Sequence, residues 1–216
     1  MNLPKHVVSI AKNENISLIG NNSSGKAMLL NVLATHYEPT KGSIRFNDFN
    51  IKDFDVNHLR AIIGSFLKAE ELFEGTLLEN ITLNREDVSH KDVMNIIKKM
   101  HLLPYLTTQE DGLETYLKPT GTNLSKKKKK KIILARNIIN NPKFLVLGNT
   151  LTNIAAHEKH DIIDYIFSDE FKSTIICISN DKYIMEKSDR VVLLEKGQIK
   201  DKGTFAELSE RQNIKP

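Results

Sequence analysis

The chain has 216 residues, 40% of them hydrophobic and 27% charged, which fits one globular domain with a real core and excludes a disordered polymer. Its net charge of +4 is a local matter, because the six consecutive lysines at 126–131 outweigh it. Only 6% of the residues are aromatic and none lies close to that run, so nucleic acid is a disfavoured partner.

In chain order, "NISLIG" (15–20) reads as a short apolar strand. It runs through "GNNSSGKA" (20–27) into "MLLNVLATHY", whose apolar residues recur at helical spacing. "GSIRFNDFNI" (42–51) alternates like a strand and ends in a turn, and "LRAIIGSFL" (59–67) reads as a further strand. From about 82 to 115 the pattern is helical. "PKFLVLGN" (142–149), "STIICISN" (173–180) and "RVVLLEKGQI" (190–199) are continuous apolar runs of the kind found in buried parallel strands. Strands alternating with helices predict an α/β fold with a mostly parallel sheet. The single cysteine, Cys177, sits in one of the apolar runs and is expected buried and reduced. No stretch approaches the length of a membrane span and no signal-peptide pattern opens the sequence, so a cytosolic location is expected.

The segment 20–27 fits G-x-x-x-x-G-K with a strand before it and a helix after it. In such a loop, successive backbone N–H groups at Gly20, Asn21, Asn22, Ser23, Ser24 and Gly25 face a phosphate, and Lys26 adds a point charge. Two positions depart from the motif. Ser23 stands where a third glycine is usual, and Ala27 replaces the Ser or Thr whose hydroxyl helps hold Mg²⁺. An ordinary glycine-containing strand–helix turn is the competing reading.

Beyond this loop the chain resembles the ATP-binding cassette (ABC) domain of exporter type. "EPTKGSIRFNDFNI" is similar to that family's "P..G.I..dG.di" hairpin, and "IGSFLKAEELFEGTLLENI" (63–81) to its "IGyVpQdp.LF.gTi.ENI" segment. "DGLETYLKPTGTNLS" (111–125) looks like the approach to the family's signature. "KKIILARNIINNPKFLVLGN" (130–149) resembles the helix and strand that follow, and "SDRVVLLEKGQIKDKGTFAEL" (188–208) the closing strands and helix. The resemblance runs from about residue 7 to 209. It implies the P-loop nucleoside-triphosphatase fold, one ABC domain over 1–216 and a helical subdomain within it at about 82–140. It also implies a transmembrane domain, a second cassette paired head to tail, and a place at the cytoplasmic face of the membrane. The family's domain opens further upstream, with an aromatic that stacks on adenine. The sequence is therefore expected to be a fragment or to have its true start upstream.

The same alignment implies that the catalytic positions are changed. The Q-loop glutamine aligns with Lys68, the Walker B aspartate with Gly148, the general-base glutamate with Asn149, the D-loop aspartate with Ala155 and the switch histidine with Asn180. The signature "LSGGQ" keeps Ser125 but reads Lys126, Lys127 and Lys128 after it. Ala27, Lys68 and Gly148 offer Mg²⁺ no side-chain oxygen, and an amide at 149 cannot take a proton from water as a carboxylate does. The expectation is lost or weak Mg²⁺ binding, ATP bound weakly or not at all, and no hydrolysis. The ammonium of Lys68 stands as a candidate substitute for the metal's charge. A working ATPase completed by a partner cassette and an interaction module without nucleotide stand as alternatives. Lys129 and Lys131 fall where the family commonly has basic residues, so Lys126, Lys127, Lys128 and Lys130 are the ones to explain. A solvated face, a contact with ATP held by a partner, and an acidic lipid or protein ligand all remain open. His157 and His160 are read as a solvated helix face rather than a metal pair, and Glu158 and Asp161 as surface charge.

Overall fold

A computed structural model of the chain describes residues 8–67 and 71–212. Strand β1 (Asn15–Ile19) is buried along its whole length and lies inside a six-stranded sheet. The order across that sheet is β10, β9, β1, β8, β7, β4, formed by Gln198–Gly203, Arg190–Glu195, β1, Thr174–Ile178, Phe144–Leu147 and Ile63–Phe66. β9, β1, β8, β7 and β4 are parallel, and β10 runs antiparallel on the edge. The α/β fold with a mostly parallel sheet is the one the sequence predicts.

Alternation along the strands splits the interior in two. Phe144 and Val146 of β7, with Ile176 of β8, face a core built with α1 (Lys26–Leu33) and α2 (Val56–Ile62). Leu145 and Leu147, with Ile175 and Cys177, face a larger core on the opposite side. That core holds α3 (Leu77–Thr82), α4 (His90–Lys99), α5 (Leu103–Leu106), α6 (Lys126–Ile138) and α7 (Ala156–Ile166). Both faces of the strands are covered, which is why they read as unbroken apolar runs. The helix α8 (Lys182–Lys187) and the terminal α9 (Phe205–Gln212) pack beside β1 and β9 through Met185 and Leu208.

Four local readings are corrected. Residues 59–67 are not one strand. Asp55 caps α2 by accepting hydrogen bonds from the amides of Asn57 (2.9 Å) and His58 (3.0 Å), so the segment is helical through Ile62 and turns to strand only at Ile63. Leu59 and Ile63, four residues apart, both point into the core, a spacing that serves either state. The run 190–199 is a hairpin, because Lys196 and Gly197 take positive φ and reverse the chain between β9 and β10. Residues 42–51 likewise hold a hairpin of β2 (Arg45–Phe46) and β3 (Phe49–Asn50), turned by Asn47 and Asp48 at positive φ. The helical stretch begins earlier than 82, at Leu77, where Thr76 and Glu79 form a capping box. A pairing not foreseen in the sequence closes it: β5 (Gly75–Thr76) lies antiparallel to β6 (Tyr116–Leu117).

The lysine run opens α6 and does not behave as one surface. Lys126 and Lys127 are exposed, whereas Lys128 lays its ammonium over the Tyr105 ring at 4.3 Å. Lys129 packs its stem on Gly121, and Lys130 reaches Thr152. Lys131 is 5% exposed and pairs with Glu158 of α7 at 2.6 Å, with a second bond to the His101 carbonyl at 3.3 Å. The solvated-face reading therefore holds for two of the six residues. Glu158 is likewise not ordinary surface charge, and exposed Asp161 pairs with His101 at 3.0 Å. His160 stacks on Tyr183, with ring centroids 3.8 Å apart.

Removing Glu158 would strand a buried ammonium. Glu158→Ala is expected to destabilise the fold by about 3 kcal/mol, read from the urea midpoint. Lys131→Met on top of it should recover most of that loss.

Candidate functional site

Because five strands run the same way, their C-terminal ends share one edge of the sheet, and ligands of open α/β sheets bind outside that edge. β1 ends in the loop 20–25, β7 ends at Gly148 and Asn149, and β8 ends at Ser179 and Asn180. β4 ends at Phe66, and Lys68 lies outside the described residues.

The loop after β1 has the backbone of a phosphate cradle. Gly20 has φ 140°, and a Cβ there would sit 2.2 Å from the carbonyl oxygen of Leu194. Ser23 (φ 69°) and Gly25 (φ 96°) are also left-handed, and Gly25 caps α1, turning the helix N-terminus toward the loop. Ser24 is buried and its carbonyl accepts from the Gly197 amide at 3.0 Å, which straps the loop to the β9–β10 turn. The Lys26 ammonium folds over the loop, donating to the carbonyls of Gly20 (2.5 Å) and Asn21 (2.9 Å) and to Ser24 Oγ (3.1 Å). Partial burial lowers its pKa from the ordinary lysine value. Asn21 and Asn22 are exposed at the rim, and Ala27 presents only a methyl group beyond the lysine.

Gly148, Asn149 and Asn180 come together in a cavity of about 250 Å³ between the ends of β7 and β8. Its floor is apolar, with Leu147, Ile163 and Cys177. Its rim carries Thr152, Lys159 and Asp181, which the sequence reading did not single out. Asp181 caps α8 by accepting from the Tyr183 amide at 3.0 Å and forms an ion pair with Lys159. Burial pushes the Asp181 carboxyl upward, but the Lys159 ammonium and the capping amides outweigh it and hold the pKa below the usual aspartate value. The one available signal was Asp181 standing directly before a helical run, the pattern of an N-cap. Ala155 sits at the N-cap of α7 and offers no side-chain bond there. Cys177 is buried and reduced, its thiol pushed up to about 11 by burial.

Ser125 caps α6 by accepting from the Lys128 amide at 3.4 Å. Among the described residues, no hydrogen bond or ion pair joins Ser125, Lys126, Lys127 or Lys128 to the loop 20–27.

The residues present fit a phosphate group: strained glycine and serine positions, a helix N-terminus and a lysine converge on one loop. Toward a divalent cation, Ala27 and Gly148 bring no side-chain oxygen, and Asn149 and Asn180 bring neutral amides in place of carboxylates. Among the described residues, no three His, Cys, Asp or Glu side chains are grouped to hold a metal ion.

A parallel sheet with a glycine-lysine loop at the end of β1 is a P-loop nucleoside-triphosphatase architecture. A family model described as "ABC transporter" matches residues 5–152, and the chain belongs to the ABC transporter family. It is 29% identical over 208 residues to the ATP-dependent permease MDL1 of Candida albicans, covering 94% of this chain and 30% of that protein. It is 29% identical over 207 residues to the probable multidrug resistance ABC transporter ATP-binding/permease protein YheI of Bacillus subtilis, covering 96% and 35%. It is 26% identical over 203 residues to the ATP-dependent lipid A-core flippase 1 of Colwellia psychrerythraea, covering 94% and 34%. A solved structure of a bacterial Atm1-family ABC exporter with ATP bound superposes with a TM-score of 0.86 at 23% identity, over 94% of this chain and 35% of that one, and so shares the fold. The chain spans about a third of the length of these relatives. Among the described residues, no helix is long and apolar enough to cross a membrane.

Predictions of two kinds, on packing and on acid stability, rest on this geometry. Gly20→Ala must move the Leu194 carbonyl and is expected to cost more than about 2 kcal/mol in a thermal or urea melt. At Gly148 a Cβ would meet Phe66 O at 3.4 Å and Leu67 Cδ2 at 3.5 Å, ordinary contacts, so Gly148→Asp should change stability by less than about 1 kcal/mol. The second concerns acid. The lowered Asp181 pKa contributes stability that is fully present above the unfolded aspartate value of about 4 and disappears as pH falls through the folded value. Asp181→Asn keeps the cap and removes the charge, so its stability should fall less steeply than the wild type's below about pH 4.

Proposed function

We propose that this chain is the nucleotide-binding cassette of an exporter-type ABC transporter, that it holds ATP weakly through the loop 20–27, and that it does not hydrolyse it. The observation that carries the reading is the pairing of a left-handed glycine–lysine loop after β1 with uncharged residues at Ala27, in the first turn of α1, and at Gly148, Asn149 and Asn180, which line one cavity at the ends of β7 and β8. Phosphoryl transfer needs a held metal and a group that orients or deprotonates water, and these positions supply neither. On this reading the cassette is a structural or regulatory partner. It sits at the cytoplasmic face of the membrane against a transmembrane domain, paired with a second cassette. Residues 82–140 would form its helical subdomain, and Ser125, Lys126, Lys127 and Lys128 would face the partner's nucleotide. The exporter-type relatives along the whole chain support the placement. The working-ATPase alternative draws on one observation, that the strand ends still deliver positions 148, 149 and 180 into a single cavity.

Titrating the protein with a fluorescent ATP analogue, with and without Mg²⁺, tests the reading together with a phosphate-release assay. Expected are weak binding that is abolished by Lys26→Ala and indifferent to Mg²⁺, and turnover at background. The combined variant Ala27→Ser, Gly148→Asp, Asn149→Glu should make binding depend on Mg²⁺. Mg²⁺-dependent turnover in the wild type that Lys26→Ala removes would establish the working-ATPase alternative. Absence of any nucleotide binding would leave an interaction module.

A further inference from the structure

We propose that Lys130 is a positioning residue that pins the turn carrying Asn149 to the helix α6, so that part of the lysine run is internal scaffolding for the strand edge rather than a ligand surface. The ammonium of Lys130 donates to the carbonyl of Thr152 at 2.8 Å and to its hydroxyl at 3.1 Å. Thr152 Oγ1 in turn donates to the carbonyl of Asn149 at 3.5 Å. Side chain, hydroxyl and backbone thus form a short chain from α6 to Asn149, the second residue past β7.

The rest of the connection explains why this contact matters. Thr150 bonds back to the Gly148 carbonyl through its amide (2.7 Å) and its hydroxyl (3.3 Å), and Leu151 and Ile154 bury their side chains. Those contacts fold the turn on itself and press it on the core, but none of them ties its polar backbone to α6. Among the described residues, Lys130 is the side chain seen to reach this turn from another element through a hydrogen bond. The next residue, Lys131, grips the far end of the same connection through Glu158 in the first turn of α7. Two adjacent lysines on α6 therefore hold the connection 148–155 at Thr152 and the first turn of the helix that follows it. Lys159, the neighbour of Glu158, continues the pattern by pairing with Asp181 beside Asn180. Both walls of the cavity are tied, directly or through α7, to the helix that carries the run.

The charge of Lys130 is what its position requires. Its stem lies along protein and burial lowers its pKa, yet its ammonium meets two oxygens in place of water. A methionine fills the same volume and cannot donate. An arginine keeps the charge and the donors.

Hydrogen–deuterium exchange on the full chain, resolved by peptide, tests the assignment. Lys130→Met is expected to raise exchange of the amides at 149–154 by about tenfold, with the strands unchanged, and Lys130→Arg to restore protection. Unchanged exchange at 149–154 in Lys130→Met would overturn the proposal. So would a uniform rise across all peptides that tracks a lower urea midpoint, because that is loss of global stability. The functional weight given to Asn149 rests on the nucleotide-binding reading above, and the two are separable. Failure of the wild type to bind ATP sinks that reading while the exchange pattern still decides the role of Lys130.

Discussion

Parallel strands buried on both faces have to be joined by crossovers, and every crossover leaves the sheet from the same edge. That constraint governs this molecule. It places the loop 20–25, the turn at 148–149 and the residues 179–180 side by side although they lie far apart in the chain. It also sorts the side chains of each strand into two separate cores, so the edge residues belong to neither. Chemistry at the edge can change with little cost to the interior, which is consistent with a scaffold that keeps its fold while carrying Gly148, Asn149 and Asn180 where its relatives' resemblance implies other residues.

The six lysines illustrate how position on a helix overrides composition. A homopolymeric run has no pattern of its own, yet α6 turns its residues to different neighbours. Two remain in water, one covers an aromatic ring, one packs on a glycine, one reaches a turn, and one is buried against a carboxylate. The buried one is tolerated because Glu158 meets it, not because lysine suits a core.

The fold was legible from runs that admit one explanation. Fully apolar segments of strand length, such as 144–147 and 175–178, had nowhere to go but a doubly covered sheet. The phosphate loop was legible because its glycines and lysine have a mechanical purpose. Misreadings arose where one pattern serves two structures. Leu59 and Ile63 suit a helix turn as well as a strand, and only the Asp55 cap decides between them. The reversal at Lys196 and Gly197 interrupts what looks like one strand. Lys159, Thr152 and Glu158 could not be found by motif, since each gains its importance from a partner distant in sequence, and the N-cap pattern at Asp181 gave no hint of its pairing with Lys159.

The small pairing of Gly75–Thr76 with Tyr116–Leu117 has a topological consequence. It brings the entrance and the exit of the helical stretch to one point, like the neck of a drawn purse. The entropy of closing that neck grows only with the logarithm of the length enclosed. The stretch between the two ends can therefore change length at small entropic cost, while its helices stay packed in one core with α6, α7 and the strands β7 and β8.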